Sequence, residues 1–149
     1  VTSSTTLPYG ACSIGFPSQK INKIWGAAKM YDTRSGEDPM FPESLFDDKE
    51  LLALADAGQE YGVTTGRRRK VNWLNLDLLQ KAVSMTGTTD LVLSKCDVVS
   101  EVGVFKVYHK GLLEQFQTIG EMKSYIFSSI INDSNLIDTV TFSSSPEGI

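Results

Sequence analysis

The stretch that most constrains the fold is a short apolar run, DLVLSK, at residues 90–95. It has the length of one β-strand, and its nearly continuous apolar residues are consistent with a strand buried in a parallel sheet. A second segment, residues 103–109, alternates as a strand does and ends at the only histidine, His109. We expect His109 to lie on the surface, because lysines flank it at positions 106 and 110 and no catalytic partner is visible nearby.

Helix-forming segments are interspersed with these strands. The pattern predicts helices and one more strand as follows: helices at residues 17–30, 47–61, 75–85 and 120–131, and a strand at residues 136–142. The first helix is predicted from Pro17, which is favoured at helix starts, and from apolar residues at helical spacing. We assign those apolar residues to the core: Ile21, Ile24, Trp25 and Ala28. The helix that begins at the candidate N-cap Asn75 ends at Gly87 and is expected to bury Leu78, Leu79, Ala82 and Val83. Residues 31–42 are predicted to be loop. The fold class is therefore α/β, with mixed helices and strands.

The most distinctive polar stretch is GVTTGRRRK at residues 62–70, which we expect in a surface loop between two helices. Its two glycines allow turns that other residues resist, and its threonines offer short hydroxyl donors. Each guanidinium presents a planar fork that matches a carboxylate or a phosphate. RRRK alone is typical of a solvated basic turn. The preceding G-x-T-T-G favours a loop that binds a small anion, since such loops need adaptable backbone and clustered donors together.

The overall composition limits the class of partner. The 149 residues carry 14 Lys and Arg against 18 Asp and Glu, a formal net charge of -4, which argues against a nucleic-acid-binding surface. No apolar run approaches the length of a membrane span, and no signal-peptide pattern is present. Cys12 and Cys96 are too few for a metal cage and are expected to be reduced thiols. We therefore expect a cytoplasmic protein that binds neither nucleic acid nor membrane.

The turn after the apolar strand, SKCD at residues 94–97, has the chemistry of a guanine reader. The carboxylate of Asp97 can accept hydrogen bonds from guanine N1–H and from its 2-amino group, a pair of donors that adenine lacks. The stem of Lys95 can lie over the base. Four such residues alone are also typical of a solvated strand end. Another polar segment, SSSPEG, follows the last predicted strand, and the two segments can share one rim because ligands of open α/β sheets bind beyond the C-terminal ends of strands.

Taken in order, several motifs resemble those of the adenylosuccinate synthetase family. They are VTSS at the start, YDTRSG with EDPMFP, EYGVTTGRRRKVNWL, and LVLSKCDVV. Family members typically read VTSS-N, Y-x-TRVG-x-GPFP, E-[FY]-G-x-TTGR-x-RR-x-GWLD and LTKLDVL, in the same order and with similar spacing. The resemblance spans residues 1–99 and continues weakly to the tail. It implies the C-terminal portion of a P-loop-NTPase-like synthetase, short in the manner of archaeal and phage members.

The resemblance implies a ligase of purine nucleotide biosynthesis. In this family GTP phosphorylates O6 of a 6-oxopurine nucleotide such as IMP, and the amino group of L-aspartate then displaces phosphate. Mg2+ assists, and its ligands are expected outside this chain. The implied partners are L-aspartate, the purine nucleotide, the nucleoside triphosphate and the remainder of the synthetase, in a homodimer.

The resemblance also assigns roles to individual residues. Thr2 would hold the 5′-phosphate of the purine nucleotide, and Ser35 would lie close to its nucleoside. The loop that closes over L-aspartate would consist of Gly62, Val63, Thr64, Thr65, Gly66, Arg67 and Arg69. Within it, Thr65 and Arg69 would meet the aspartate carboxylates, and Arg67 would bridge towards the ribose and aspartate. The nucleoside triphosphate would contact Arg69, Lys95, Cys96, Asp97, Ser143, Ser144 and Ser145.

Departures from the family pattern leave alternatives open. Ser35 stands where the family usually has valine, and Met40 is inserted into the GPFP motif. Phage relatives include enzymes that act on dGMP, some of which accept ATP or dATP, and Ser35 fits such a change because serine can form a hydrogen bond where valine cannot. The family's phosphate-binding glycine loop, catalytic aspartate and catalytic histidine all precede VTSS, so no catalytic residue is expected in this chain. The second hypothesis is a non-catalytic module that binds a nucleotide or an amino acid.

Overall fold

The computed structural model describes residues 7–62, 66–133 and 137–145 and confirms the mixed α/β class. The helices in these ranges are α1 (Leu7–Ser13), α2 (Lys49–Ala57), α3 (Leu76–Thr86), α4 (Cys96–Val102) and α5 (Ile119–Asp133). The strands are β1 (Trp25–Lys29), β2 (Tyr31–Arg34), β3 (Lys70–Asn75), β4 (Asp90–Ser94), β5 (Phe105–His109), β6 (Leu112–Phe116) and β7 (Thr139–Phe142). Short 3₁₀ turns occupy Ser18–Lys20 and Glu43–Asp47.

The strands form two sheets that are joined at a single residue. β4 is the centre of a parallel sheet with β1 and β7 on either side, and its side chains are buried, as its continuous apolar sequence predicts. The second sheet has the order β2-β3-β5-β6, in which β3 and β5 are parallel and the two outer pairs are antiparallel. Only Met30 separates β1 from β2, and it is fully buried. The chain therefore passes from one sheet into the other without a loop.

Helices and sheets enclose one cluster of buried apolar residues. It includes Leu54 of α2, Leu76 of α3, Leu93 of β4 and Ile126 of α5. Burial of such side chains stabilises a fold by about 1.5–3 kcal/mol each relative to exposure. Among the residues that the structure describes, no helix combines the length and the apolar character that crossing a bilayer requires.

The predicted helix at residues 17–30 is wrong. The structure has a 3₁₀ turn at Ser18–Lys20 and then β1, and Trp25 is 56% exposed, not part of the core. Pairing with β4 along the whole of β1 overrides the local helical spacing. Close approach also favours the strand here, because a Cβ on Gly26 would lie 2.8 Å from the methyl group of Thr88.

The loop predicted at residues 31–42 is wrong in its first four residues, which form β2. The strand is antiparallel to β3, and Tyr31 within it is buried. The segment before residue 17, which reads as a turn-prone stretch, contains α1. The helix predicted at residues 47–61 exists as α2, in shorter form, because the side chain of Asp48 caps its first turn.

Helix α3 has the predicted ends and only part of the predicted buried face. The side chain at its N-cap accepts a hydrogen bond from the backbone nitrogen of Leu78 (3.0 Å), and Gly87 ends it in the left-handed conformation, with φ of 67°. Leu78 and Ala82 are exposed, whereas Leu76 and Val83 are buried. The prediction is therefore right for Val83 and for the partly buried Leu79, which packs against the core, and wrong for Leu78 and Ala82.

The prediction that His109 lies on the surface is also wrong, since it is only 6% exposed. Side chains of β5 alternate, so His109 shares the buried face with Val107 and not the face of Lys106. Its Nδ1 lies 2.7 Å from the hydroxyl of Tyr125 on α5. The histidine is therefore a packed residue between a strand and a helix.

We predict that Gly58→Ala lowers the free energy of unfolding by about 1–3 kcal/mol, the usual cost of overpacking. Gly58 ends α2 against the hydroxyl of Tyr31, and a Cβ there would collide with that hydroxyl and lie 3.0 Å from the carbonyl oxygen of Leu54. Urea unfolding measures the loss. Gly36→Ala is the matched control, because nothing lies within 4 Å of a Cβ at Gly36. Equal losses in the two variants would contradict the argument.

Candidate functional site

The polar segments after β4 and β7 meet at one edge of the parallel sheet, as the sequence predicts. Leu93 and Phe142 are paired at the ends of the two strands. Beyond them, Ser143 donates its backbone N–H to Leu93 O (2.9 Å), and Cys96 donates its own to Ser143 O (3.1 Å). A cavity of about 160 Å³ opens at this edge, lined by Ser94, Lys95, Asp97, Ser143 and Ser145. We call it the base-edge cavity.

Lys95 and Asp97 face this cavity, and the side chain of Cys96 does not. Lys95 adopts a left-handed backbone conformation, with φ of 67°, and its Nζ donates to the carbonyl oxygen of Gly58 (3.3 Å). Asp97 is exposed in the first turn of α4. Cys96 is fully buried and directs its thiol to the carbonyl oxygen of Leu93, and burial raises the pKa of that thiol. The thiol of Cys96 is therefore not available at the rim, and its backbone N–H is already bonded to Ser143 O.

The serines of the last segment differ in exposure. Ser143 is buried, and its hydroxyl donates to the carbonyl oxygen of Ser145 (2.7 Å), which makes a tight turn at the cavity edge. Ser144 and Ser145 are exposed. Ser145 lines the base-edge cavity together with Ser143.

The arginine-rich loop lies between α2 and β3, and not between two helices, because Lys70 already belongs to β3. Its base is closed by antiparallel backbone contacts: Gly62 N–H donates to Arg67 O (2.8 Å), and Tyr61 lies opposite Arg68. Gly66 follows with a positive φ of 63°. The remaining predicted site residues, Thr2, Val63, Thr64 and Thr65, lie outside the described residues.

Each of the basic residues at positions 68–70 contacts an acidic side chain from another segment. Arg68 Nη2 lies 2.5 Å from Asp56 Oδ1 on α2. Arg69 Nη1 lies 3.5 Å from Glu60 Oε2. Lys70 contacts the carboxylate of Glu43 in the second 3₁₀ turn, in an ion pair, and donates to the carbonyl oxygen of Phe41 (3.2 Å). The acidic excess of the chain is thus partly concentrated around this loop.

Ser35 and Arg67, both predicted to lie near the substrate nucleoside, line the same cavity. It has a volume of about 610 Å³ and is bounded by Ser35, Gly36, Glu37, Glu43, Phe46, Arg67, Arg68 and Lys70. Ser35 and Arg67 are both exposed. The lining of this cavity combines anionic side chains, from Glu37 and Glu43, with the cationic side chains of residues 67, 68 and 70.

Glu60, which sequence reasoning missed, joins the loop to the core. Its side chain is almost fully buried, and its Oε1 accepts hydrogen bonds from Lys29 Nζ (2.6 Å) and the Tyr31 hydroxyl (2.7 Å). Its Oε2 faces Arg69. Burial by itself would raise the pKa of the Glu60 carboxyl, but the hydrogen bonds from Lys29 and Tyr31 and the charges of Lys29 and Lys95 lower it overall. Glu60 is therefore held as a carboxylate.

The same network acts on Tyr31. Burial raises the pKa of its hydroxyl, and the hydrogen bond to Glu60, the charge of Glu60 and the charge of Asp97 raise it further. The hydroxyl consequently stays protonated and donates to Glu60. No local motif marks this arrangement, because the partners of Glu60 come from positions 29, 31 and 69.

A third cavity, of about 290 Å³, lies beside β2 and β3 and contains Asp32 with Trp73 and Tyr108. Asp32 Oδ2 accepts the backbone N–H of Asn75 (3.0 Å), directly before α3. Burial raises the pKa of this carboxyl to about 6, against the smaller opposing effect of that hydrogen bond. Asp32 thus ties β2 to the start of α3.

The matching family is described as adenylosuccinate synthetase, and the match covers residues 1–125. The chain belongs to the adenylosuccinate synthetase family. It is 43% identical over 108 residues to the adenylosuccinate synthetase of Methanococcoides burtonii, which covers 72% of this chain and 25% of that protein. It is 42% identical over 122 residues to that of Syntrophomonas wolfei, covering 78% of this chain and 28% of the relative.

A solved structure shares the fold. The fully ligated adenylosuccinate synthetase of Plasmodium falciparum superposes with a TM-score of 0.70 over 95% of this chain and 42% of that one, at 21% identity. The chain spans about a quarter of the length of the curated synthetases that it matches. The family is a family of purine-biosynthesis ligases, and this chain corresponds to part of such a protein.

Proposed function

We propose that this chain supplies the guanine-reading rim and the aspartate-binding loop of an adenylosuccinate synthetase. The complete enzyme would join L-aspartate to a 6-oxopurine nucleotide with hydrolysis of GTP. The observation that carries the proposal is the base-edge cavity, where Lys95 and Asp97 meet Ser143 and Ser145 from a separate strand. A cavity with one accessible carboxylate and one lysine stem suits a purine base that offers two adjacent donors.

Asp97 is suited to read the base because it is exposed at the mouth of the cavity. Guanine N1–H and its 2-amino group can donate to the two carboxylate oxygens together, and a charged acceptor makes such bonds stronger than neutral ones. Lys95 is held by its hydrogen bond to Gly58 O, and its stem lines the cavity. Ser143, Ser144 and Ser145 complete the proposed nucleotide contacts, whereas the thiol of Cys96 is buried and directed away from them.

The arginine loop is suited to bind L-aspartate. A dianionic amino acid beside phosphorylated nucleotides needs cations that orient it and a loop that excludes water during the reaction. Arg69 and Arg67 would supply those cations, and Gly62 and Gly66 would allow the loop to close. Thr65 with Arg69 at the aspartate carboxylates, and Thr2 at the nucleotide phosphate, remain proposals from the family resemblance.

The identity of the two nucleotides is part of the proposal. IMP as acceptor and GTP as donor follow the family pattern. The alternative is dGMP as acceptor, which Ser35 fits because its hydroxyl lies in the cavity that also contains Arg67, and some phage relatives of that kind accept ATP or dATP as donor. In the described part of the chain no three His, Cys, Asp or Glu side chains stand together as a metal site requires. The Mg2+ ligands are expected outside this chain, as the family resemblance implies. A homodimer and a cytoplasmic location remain expectations.

The second candidate is a non-catalytic module that binds a nucleotide or an amino acid. It would use the same base-edge cavity and arginine-rich loop without the ligase reaction. The encoded reading frame separates the two: an upstream segment with a glycine-rich phosphate loop supports the ligase, and a frame without one supports the module.

We predict that the 149-residue chain alone catalyses no ligation, because the family's acid–base pair is expected outside it. The chain would be incubated with L-aspartate, Mg2+, IMP or dGMP, and GTP or ATP, and succinylated nucleotide would be measured by chromatography. Product formed through repeated turnovers would contradict the prediction.

We predict that Asp97→Asn weakens binding of GTP about 10- to 100-fold, since loss of a charge-assisted pair costs roughly 1.5–3 kcal/mol. Binding of ATP should change much less, because adenine does not offer the same two donors. Calorimetric titration of the chain with each nucleotide measures both. Glu101→Gln, the same loss of charge one turn further along α4, is the control. An unchanged preference between the nucleotides would show that Asp97 does not read the base.

We predict that Arg69→Leu lowers kcat/KM for L-aspartate at least tenfold, whereas Arg68→Leu has a smaller effect. A bidentate arginine–carboxylate pair in a closed site is worth on the order of 2–5 kcal/mol. Arg68 is already held by Asp56 and by the carbonyl oxygen of Leu52, on the side of α2. Steady-state kinetics of the complete synthetase that contains this chain provides the measurement. Equal damage from the two variants would refute the assignment of Arg69.

A further inference from the structure

We propose that Glu60 is a positioning residue, which orients Arg69 towards its anionic ligand and links the arginine loop to the base-edge cavity. The identity of that ligand rests on the proposed function. The positioning itself rests on contacts of the folded chain and can be tested without any ligand.

The position of the Glu60 carboxylate is fixed by two hydrogen bonds from the core side of the loop. The side chain is 4% exposed, and Lys29 and the Tyr31 hydroxyl both donate to Oε1 at 2.6 and 2.7 Å. A buried carboxylate that accepts two such donors cannot move without leaving a charge or a donor unpaired. Oε2 is therefore presented to Arg69 at a constant position.

Arg69 is held at two points. Its backbone N–H donates to the carbonyl oxygen of Glu60 (2.9 Å), and its Nη1 lies 3.5 Å from Glu60 Oε2. A contact of 3.5 Å is at the long limit of a hydrogen bond, so it orients the guanidinium without saturating it. Within the described residues, the buried Nε of Arg69 has no hydrogen-bond partner. An arginine has five N–H donors, which leaves several for a carboxylate or a phosphate while one faces Glu60.

The link to the base-edge cavity runs through the turn before Glu60. Lys95, which lines that cavity, donates to the carbonyl oxygen of Gly58, two residues from Glu60. The charge of Lys95 also contributes to the lowered pKa of Glu60. If a bound base displaces Lys95, the hydrogen bond to Gly58 O changes. We expect the backbone at Glu60 to shift with it and so to move Arg69.

An opposite role, in which Glu60 competes with the ligand for Arg69, predicts the opposite sign. Removal of a competitor would strengthen ligand binding, whereas removal of a positioning group weakens it. The contacts from Lys29 and Tyr31 support positioning, because they hold Glu60 in place, and among the described residues the Nε of Arg69 has no hydrogen-bond partner.

The test compares Glu60→Gln with Asp56→Asn in the 149-residue chain. Both substitutions replace a carboxylate with its amide, but Glu60 faces Arg69 whereas Asp56 faces Arg68. Nitrogen-15 relaxation at the arginine Nε groups is measured first, without ligand. We expect the order parameter of Arg69 to fall in Glu60→Gln, towards the flexible range below about 0.6, with Arg68 unchanged. Asp56→Asn should loosen Arg68 alone.

Titrations with GTP and with L-aspartate then measure the consequence for binding. We expect Glu60→Gln to weaken the ligand that Arg69 contacts about tenfold, as expected for loss of one charge-assisted contact. Asp56→Asn should stay within about twofold, as is usual for an exposed ion pair. In an Arg69→Leu background the additional effect of Glu60→Gln should disappear, because the two residues act through one contact. Additive losses would mean that Glu60 acts through general stability, and tighter binding would mean that it competes; either overturns the proposal.

Two outcomes separate this inference from the proposed function. If the unaltered chain binds neither GTP nor L-aspartate, the proposed function fails in this chain, and the order parameters alone decide whether Glu60 positions Arg69. If Glu60→Gln does not fold, as judged by circular dichroism, Tyr31→Phe replaces it. That variant removes one of the donors to Oε1, and it should loosen Arg69 by a smaller amount. An unchanged Arg69 in a folded variant overturns the inference.

Discussion

A buried carboxylate shared by three donors holds together the parts of this molecule that matter for its site. Lys29 ends β1 in the parallel sheet, Tyr31 begins β2 in the mixed sheet, and Arg69 precedes β3, yet all three direct a donor at Glu60. An ionised group away from water is costly unless it is paired and hydrogen-bonded. This cost favours one arrangement of the three donors, because a structure in which any one of them is displaced leaves the buried carboxylate incompletely paired. The Glu60 carboxylate therefore fixes the position of the arginine-rich loop relative to the junction between the two sheets at Met30.

Two of the three non-glycine residues with positive φ in the described ranges belong to the network around Glu60. Gln59, directly before Glu60, has φ of 51°, and Lys95, at the end of β4, has φ of 67°. A non-glycine residue in the left-handed region costs roughly 1–2 kcal/mol. Both turns bring polar groups to the sheet edge: one places Glu60 beneath the loop, and the other directs Lys95 to Gly58 O. Strain that is maintained at two contiguous turns of a candidate site is consistent with a geometry set by ligand binding.

The sequence is sufficient for the parts of the fold that depend on local signals. A continuous apolar run identifies β4, and the rule that ligand sites follow strand ends brings SKCD and the final serines together, as observed. Asn75 and Gly87 mark the ends of α3 because caps act locally. Strand β1 is different, since its identity depends on a partner more than sixty residues away along the chain, at register Gly26 with Leu91. Glu60 could not be found for the same reason: its partners share no spacing, and only the folded chain brings them to one carboxylate.

The arginine loop shows why the number of cations is a poor guide to which of them binds a ligand. Arg68 and Lys70 pair with carboxylates that are themselves 62% and 72% exposed, and such pairs contribute only about 0–1 kcal/mol. Water reaches both of these carboxylates and weakens their ion pairs. Arg69 faces a carboxylate that is 4% exposed, in surroundings where charge interactions are stronger and the guanidinium is already oriented. Adjacent cations are thus made unequal by their counter-ions: the carboxylate beside Arg69 is buried and those beside Arg68 and Lys70 are exposed, which supports the role proposed for Arg69.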